Sequence, residues 1–340
     1  YPTQSAGQQF GRSTALINSP ANDGSWLVAV GANLEDEING YNRGSVYLYK
    51  VDTNGVIAPN ATQVIQEYPR RANFDQFGYG LAGLEDFNGD GRSDLAVLSY
   101  QHHKNNLRSD ANYIGPNNDW SSAPDSCNDA EIKDPGAVLI YLGQTDGSFR
   151  TTPEFVFFGP QANKKIQAIT SGDFNGDGLS DVAISNGNWN GTEANAGGVV
   201  LVFGRANAAN SNHKTEVICQ YDFEFYSSNQ NDKLGHVVVN VGDINSDGCD
   251  DFAAGSREAD SPLNNNGQVR VFWGWGHGSC LSNPTITSLT SGIANSRGGT
   301  ALAGGDDLDG DSIPDIVVGG DEFQRAGGVK SGIVWLISGN

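Results

Sequence analysis

Four nine-residue stretches carry oxygen-bearing side chains at the same four positions. They are Asp86, Asn88, Asp90 and Asp94; Asp173, Asn175, Asp177 and Asp181; Asp243, Asn245, Asp247 and Asp251; and Asp307, Asp309, Asp311 and Asp315. Oxygen-only donors at positions 1, 3, 5 and 9 suit a hard cation, and calcium accepts the loosely arranged oxygens such a loop offers. The backbone carbonyl at position 7 is the expected additional ligand, from Arg92, Leu179, Cys249 and Ile313. Glycine at position 6 of three loops permits a tight bend, whereas Ser312 stands there in the last loop, whose geometry is the one expected to depart. The pattern is not that of an EF-hand. In the second loop position 12 is Ile184, and the run Val182-Ala183-Ile184 reads as a strand. Clusters of Asp, Asn and Gly also make ordinary turns between strands. Recurrence of one donor set in all four stretches favours calcium, with four sites expected.

The chain that must position these loops has 340 residues, room for one large domain or two ordinary ones. Its formal net charge of -20 argues against nucleic acid, whose binders present a basic face. Thirteen carboxylates at ligand positions account for part of that charge, and four calcium ions would reduce it to about -12. No apolar run is long enough to insert into a membrane. The chain contains no methionine and starts at Tyr1, which fits a processed product, with a removed signal peptide as one expectation. Sequons at Asn60 and Asn190 are compatible with glycosylation and secretion. Four irregularly spaced cysteines without a CxxC argue against zinc, and together these features predict an extracellular or cell-surface location.

Aligning the loops exposes a longer repeat. Each unit reads as a glycine-containing strand, the acidic loop, a short apolar strand, a variable segment, a glycine-led strand and often a fourth strand. The units fall at about 8–70, 71–160, 161–227, 228–291 and 292–340, with an insertion over 100–135 in the second. The first unit has no acidic ligands between Asn18 and Trp26, so no calcium is expected there. In the third unit the fourth strand is placed at Thr215–Ile218. Four antiparallel strands per unit predict an all-β fold, a single β-propeller over 1–340 with five blades and calcium loops between strands one and two.

The Phe-Gly pairs Phe10-Gly11 and Phe77-Gly78, the D-x-[DN]-x-D-G-x-x-D loops and Val30-Gly31-Ala32 resemble FG-GAP repeats, the blades of the integrin α-subunit head. The resemblance implies the blade and its calcium loop, and a protein or glycan partner on the face opposite the calcium loops. The fifth unit lacks an outer strand. Either the segment Tyr1 to Gln9 closes the ring, which is the expectation, or the blade-five edge is open for self-assembly by strand addition.

On the side opposite the loops, the insertion offers His102, His103, Tyr113 and Trp120 as candidate ligand contacts, with a cover over the central opening as the alternative. Cys249 lies in a calcium loop and Cys280 follows the third strand of the same blade, so a bridge between them is expected. Cys127 and Cys219 would then pair, or Cys127 would bridge to another chain. No catalytic motif is recognised, so a non-enzymatic binding, adhesion or assembly module is the leading expectation. A lectin, or a glycoside hydrolase using two carboxylates in a central funnel, are the alternatives.

Overall fold

The computed structural model describes residues 9–35, 42–66, 75–102, 113–114, 135–206, 215–218, 220–260, 263–278, 280–323 and 330–339. Every regular element among them is a strand. In chain order these are β1 (Phe10–Asn18), β2 (Trp26–Ala32), β3 (Ser45–Val51), β4 (Gln63–Gln66), β5 (Phe77–Leu84), β6 (Asp94–Ser99) and β7 (Tyr113–Ile114). They continue as β8 (Ala137–Tyr141), β9 (Phe155–Phe158), β10 (Ala168–Gly172), β11 (Asp181–Asn186), β12 (Gly198–Val202), β13 (Thr215–Ile218) and β14 (Phe223–Tyr226). The last are β15 (Leu234–Gly242), β16 (Asp251–Ser256), β17 (Gln268–Trp273), β18 (Thr285–Leu289), β19 (Ala301–Asp306), β20 (Asp315–Gly320) and β21 (Ile333–Ile337). The chain divides into two compact units, residues 1–166 with 204–221, and 167–203 with 222–340.

The first unit holds blades one and two. Blade one is the antiparallel sheet β1-β2-β3-β4, and blade two runs β5-β6-β8-β9. Alternation decides which side chains meet. Ile17, Leu27, Ala29 and Leu48 from one face of blade one share a buried core with Phe77, Leu81, Val97 and Tyr141 of blade two. Blade two then gains two further strands, β13 from distant sequence, parallel to β9, and β7 from its own insertion, parallel to β13. All four residues of β9, Phe-Val-Phe-Phe, are buried as a result. An apolar edge strand with unpaired backbone groups invites aggregation, and β13 covers it.

The second unit holds blades three, four and five, ordered β10-β11-β12-β14, β15-β16-β17-β18 and β19-β20-β21. The outer strand of blade three is β14, not Thr215–Ile218 as the sequence reading has it. The alternation Phe223-Glu224-Phe225 explains the choice. Both aromatic rings turn inward against Phe272, and Phe223 also against Trp275. Thr215–Ile218 is buried on every residue, as a strand sandwiched between two others must be. Blade five shows three strands among the described residues. Of the segment Tyr1 to Gln9 expected to close it, residues 1–8 lie outside them, as do Cys127, Cys219, His103 and Trp120 of the other expectations.

Successive blades approach so closely at one point that only a hydrogen fits. A Cβ placed on Gly255 of β16 would lie 2.0 Å from the carbonyl oxygen of Gly299 in the next blade. Gly319 of β20 occupies the same place in blade five, and among the described residues its Cβ would meet only Ala301 of its own blade, at 3.4 Å. Gly255→Ala is therefore expected to cost about 1–3 kcal/mol through forced separation of the two backbones. Gly319→Ala should stay within about 0.5 kcal/mol. Urea denaturation of the two variants checks the contrast, and equal losses would disprove it.

Candidate cation loops

The four acidic stretches join strands one and two of blades two to five, as their spacing predicts. In each, the carboxylate at position 1 folds the loop around itself. One oxygen of Asp86 accepts the N–H of Gly89 at 2.7 Å and the other accepts that of Gly91 at 2.7 Å. Asp173 accepts from Asp177 and Gly178, Asp243 from Asp247 and Gly248, and Asp307 from Gly310 and Ser312. The asparagine or aspartate at position 3 accepts the N–H of position 5, as Asn175 does from Asp177 at 2.9 Å. The position-5 carboxylate accepts the N–H of position 7.

Ser312, the expected exception, adopts the common backbone. Its φ is +74°, against +77° at Gly91, +85° at Gly178 and +96° at Gly248. Its N–H reaches Asp307 at 2.8 Å, the bond that glycine makes in the other loops. A left-handed serine costs about 1–2 kcal/mol, and the hydrogen bonds of the turn hold it there.

The position-9 aspartates Asp94, Asp181, Asp251 and Asp315 have no solvent exposure. Each accepts the N–H of position 2 in its own loop, at 2.8–3.1 Å. In Asp94, Asp251 and Asp315 the second oxygen accepts a glycine N–H just after strand three: Gly143 at 2.9 Å, Gly274 at 2.7 Å and Gly339 at 3.0 Å. One side chain thus ties the loop, strand two and the exit of strand three together.

One oxygen each of Asp86, Asp181 and Asp315 accepts two N–H groups, while others accept one and keep a lone pair. Carboxylate oxygens of Asp307, Asp309 and Asp315 lie within 4.8 Å of one another. Three like charges at that spacing need a counter-charge, and an all-oxygen donor set fits a hard divalent ion. Burial pushes the Asp94 and Asp251 carboxyls up to about 7, against the pull of their backbone hydrogen bonds. Burial also raises Asp173, whereas the N–H groups of Gly310 and Ser312 hold Asp307 below the usual range.

Neighbouring blades brace two of the loops. Within the second unit the N–H of Asp250 donates to the Asp173 carbonyl at 3.0 Å, and the Asp250 carboxylate accepts the Asp173 N–H at 3.1 Å. The Cys249–Cys280 bridge forms as expected, with Cα atoms 5.7 Å apart, and its sulfurs pack against Gly176 of the blade-three loop. Cys249 is therefore a bridge partner and a position-7 residue at once. In the first unit, Asn22 of the non-acidic blade-one turn donates to the Gly91 carbonyl at 2.9 Å. Asp250 and Asn22 have no motif of their own, since their partners are residues about 70 positions away.

Of the insertion over 100–135, residues 100–102, 113–114 and 135 are described. His102 is 5% exposed, and its ring lies 5.5 Å from that of Phe158, so it belongs to the core rather than to a ligand surface. The backbone of Tyr113 is the start of β7. Asn60 and Asn190 are both exposed, and the Asn190 side chain accepts the N–H of Asn195 at 3.0 Å.

Blades of this strand order, each acidic loop leading from strand one to strand two, define an all-β propeller of four-stranded antiparallel blades, five in number. Residues 86–184 match the family model of an FG-GAP-like repeat, and residues 167–203 and 237–272 match that of the FG-GAP repeat. Human integrin alpha-6 is 29% identical over 185 residues, covering 54% of this chain and 15% of the relative. Bovine phosphatidylinositol-glycan-specific phospholipase D is 31% identical over 173 residues, covering 49% of this chain and 20% of the relative. Mouse integrin alpha-7 is 26% identical over 188 residues. The matched region spans a fifth or less of the length of these relatives. The chain carries FG-GAP repeats and is a propeller of the integrin-α type.

The raised carboxyls set the sign of a pH effect. A folded-state pKa of about 7, against the ordinary 3.8, means that the metal-free fold holds protons the unfolded chain has released. Their contribution to stability is full below about pH 4 and is lost as pH rises through about 7. In chelator, the urea midpoint is expected to fall between pH 5 and pH 8. Excess calcium should abolish that fall by holding both carboxylates ionised. A metal-free midpoint that rises over this window would refute the assignment.

Proposed function

We propose that the chain is an extracellular, calcium-stabilised binding module. One calcium ion sits in each of the four acidic loops, held by the side chains at positions 1, 3, 5 and 9 and the carbonyl at position 7. The observation that carries this reading is the shared loop backbone, in which inward-facing oxygens are held by the loop's own N–H groups in four separate copies. The ion's part is structural. It neutralises clustered carboxylates and fixes the turn between the first two strands of its blade.

The partner, a protein or a glycan, binds at the end of the blades opposite the loops, where the variable strand two–three segments lie. The relatives support a shared module rather than a shared reaction, since one is named as an integrin and another as a phospholipase. We assign no catalytic residues. Exposed Asn60 suits a glycan in the same compartment.

Isothermal titration of chelator-stripped protein should give four calcium ions per chain, with Kd values of about 0.1–1 mM if the loops behave as extracellular sites do. At a hundred-fold excess over Kd each ion stabilises the fold by about 2.7 kcal/mol. Chelation should therefore lower the melting temperature sharply, and Asp177→Ala should reduce the stoichiometry to three. Calcium that binds without changing the melting temperature would sink the structural role. Absence of binding would sink the whole reading.

A further inference from the structure

Strand one of three blades opens on the same β-bulge. The pairing of β1 with β2 shifts between Phe10 and Thr14, that of β5 with β6 between Phe77 and Gly80, and that of β15 with β16 between Leu234 and Val238. Each bulge turns on a glycine of positive φ: Gly11 at +85°, Gly78 at +82° and Gly235 at +83°. A bulge re-aims a side chain, and here the residue after the glycine is Arg12, Tyr79 or His236. The frame is repeated while the residue it carries changes. Within the first unit the two bulges are tied together, because the Ser13 hydroxyl donates to the Gly78 carbonyl at 2.7 Å.

The bulge residues of blades one and two build a stack, all of it inside the first unit. The Arg12 guanidinium lies 4.2 Å from the centroid of the Tyr79 ring. That ring lies 4.3 Å from the ring of Tyr100, the residue after β6, with 18° between their planes. The Lys165 ammonium stands over Tyr100 at 5.1 Å from its centroid. The start of strand one and the end of strand two place this stack at the end of the blades away from the acidic loops. A guanidinium held by its flat face keeps its N–H groups in plane for an acceptor. Arg92, Arg150, Arg257, Arg270 and Arg297 each hold a carboxylate within 3.3 Å. Arg12 is exposed and has no acidic partner among the described residues. The phenol oxygens of Tyr79 and Tyr100 have no hydrogen-bond partner among them either. Burial and then the neighbouring Tyr79 raise the Tyr100 phenol above its ordinary value, so it stays an O–H donor.

We infer that the Arg12–Tyr79–Tyr100–Lys165 stack is an anchor point for a protein partner, and that it takes a carboxylate side chain from an acidic segment of that partner. The inference rests on the reading that the partner binds at this end of the blades. The fork of N–H groups on a guanidinium matches a carboxylate, and Arg and Tyr are the residues that most often anchor protein interfaces. A sugar would need an open aromatic face to pack against. Two planar groups about 4 Å from one centroid take its two faces, so Arg12 and Tyr100 leave none on Tyr79. A polyanion would carry its further charges over a chain of net charge -20 and be repelled. One compact carboxylate meets Arg12 without that cost.

Ligand-observed NMR on the full chain, with calcium present, tests this with three probes. They are acetyl-Gly-Asp-Gly-amide, its Asn counterpart, and N-acetylneuraminic acid, a carboxylate carried on a sugar. The Asp peptide should bind with a Kd in the millimolar range, and the Asn peptide should bind about ten-fold more weakly or less. Arg12→Gln should weaken the Asp peptide about ten-fold, and Arg12→Lys, which keeps the charge and loses the fork, should recover only part of that. Lys50→Gln, an exposed cation at the other end of the blades, should change nothing. Arg12 carries no ion pair, so its variants should keep the melting temperature of the unaltered chain in calcium. An Asp peptide that fails to bind overturns the proposal, as does one that binds the Arg12 variants unchanged. Tighter binding of the sugar than of the peptide would give the stack to an acidic glycan, and the peptide assignment would fall. None of these outcomes alters the calcium stoichiometry, so this proposal and the calcium-stabilised module fail separately.

Discussion

A carboxylate removed from water at the start of strand two is the point on which each blade depends. Asp94, Asp181, Asp251 and Asp315 are fully buried, and a buried charge is tolerated only where donors replace its hydration. The replacements are backbone N–H groups of the adjacent loop and, in three blades, of the residue leaving strand three. Loop, second strand and third strand are therefore fixed by one side chain. A divalent ion beside it would remove the remaining penalty, which links the cation to the fold instead of leaving it an ornament of the surface.

The loops are also held from outside. In the second unit the blade-three loop meets the carboxylate of Asp250, in the loop of blade four, and the sulfurs of the bridge that ties Cys249 of that loop to Cys280 beyond strand three. Closing a loop of 31 residues is worth about 3–4 kcal/mol to the fold in the chain-entropy description. Here the bridge stiffens the seat of its neighbour as well. Order in one loop is thus conditional on order in the next, and a disturbance of the blade-four loop would be felt in blade three.

The blades and loops were legible because both depend on local spacing: apolar alternation for strands, and donors at positions 1, 3, 5 and 9 for the turn. Ser312 departs from the glycine rule without departing from the geometry, since the N–H to Asp307 bond is a backbone property that any residue can supply at some strain. What was not legible involves partners far apart in sequence. The sequence reading places the outer strand at Thr215–Ile218, whereas Phe223–Tyr226 takes that place, and the choice rests on Phe272 and Trp275, some 50 residues on. The parallel pairing of β13 with β9 has no signature in either segment. His102 looked like a contact residue because its composition is polar, while its position beneath Phe158 is a tertiary fact.

Repetition also explains why the second strands of the inner blades are apolar on both faces. A blade buries one face on its predecessor and the other on its successor, and Asp94–Ser99, Asp181–Asn186 and Asp251–Ser256 are buried at every residue. The tightest of those contacts is backbone against backbone. Gly31 and Gly255 hold the same place in their blades, and a Cβ on either would lie 2.1 or 2.0 Å from a carbonyl oxygen of the next blade within the same unit. Glycine stands there because no side chain fits. The spacing between those blades is therefore set by the backbone, and the apolar side chains on either side fill what that spacing leaves.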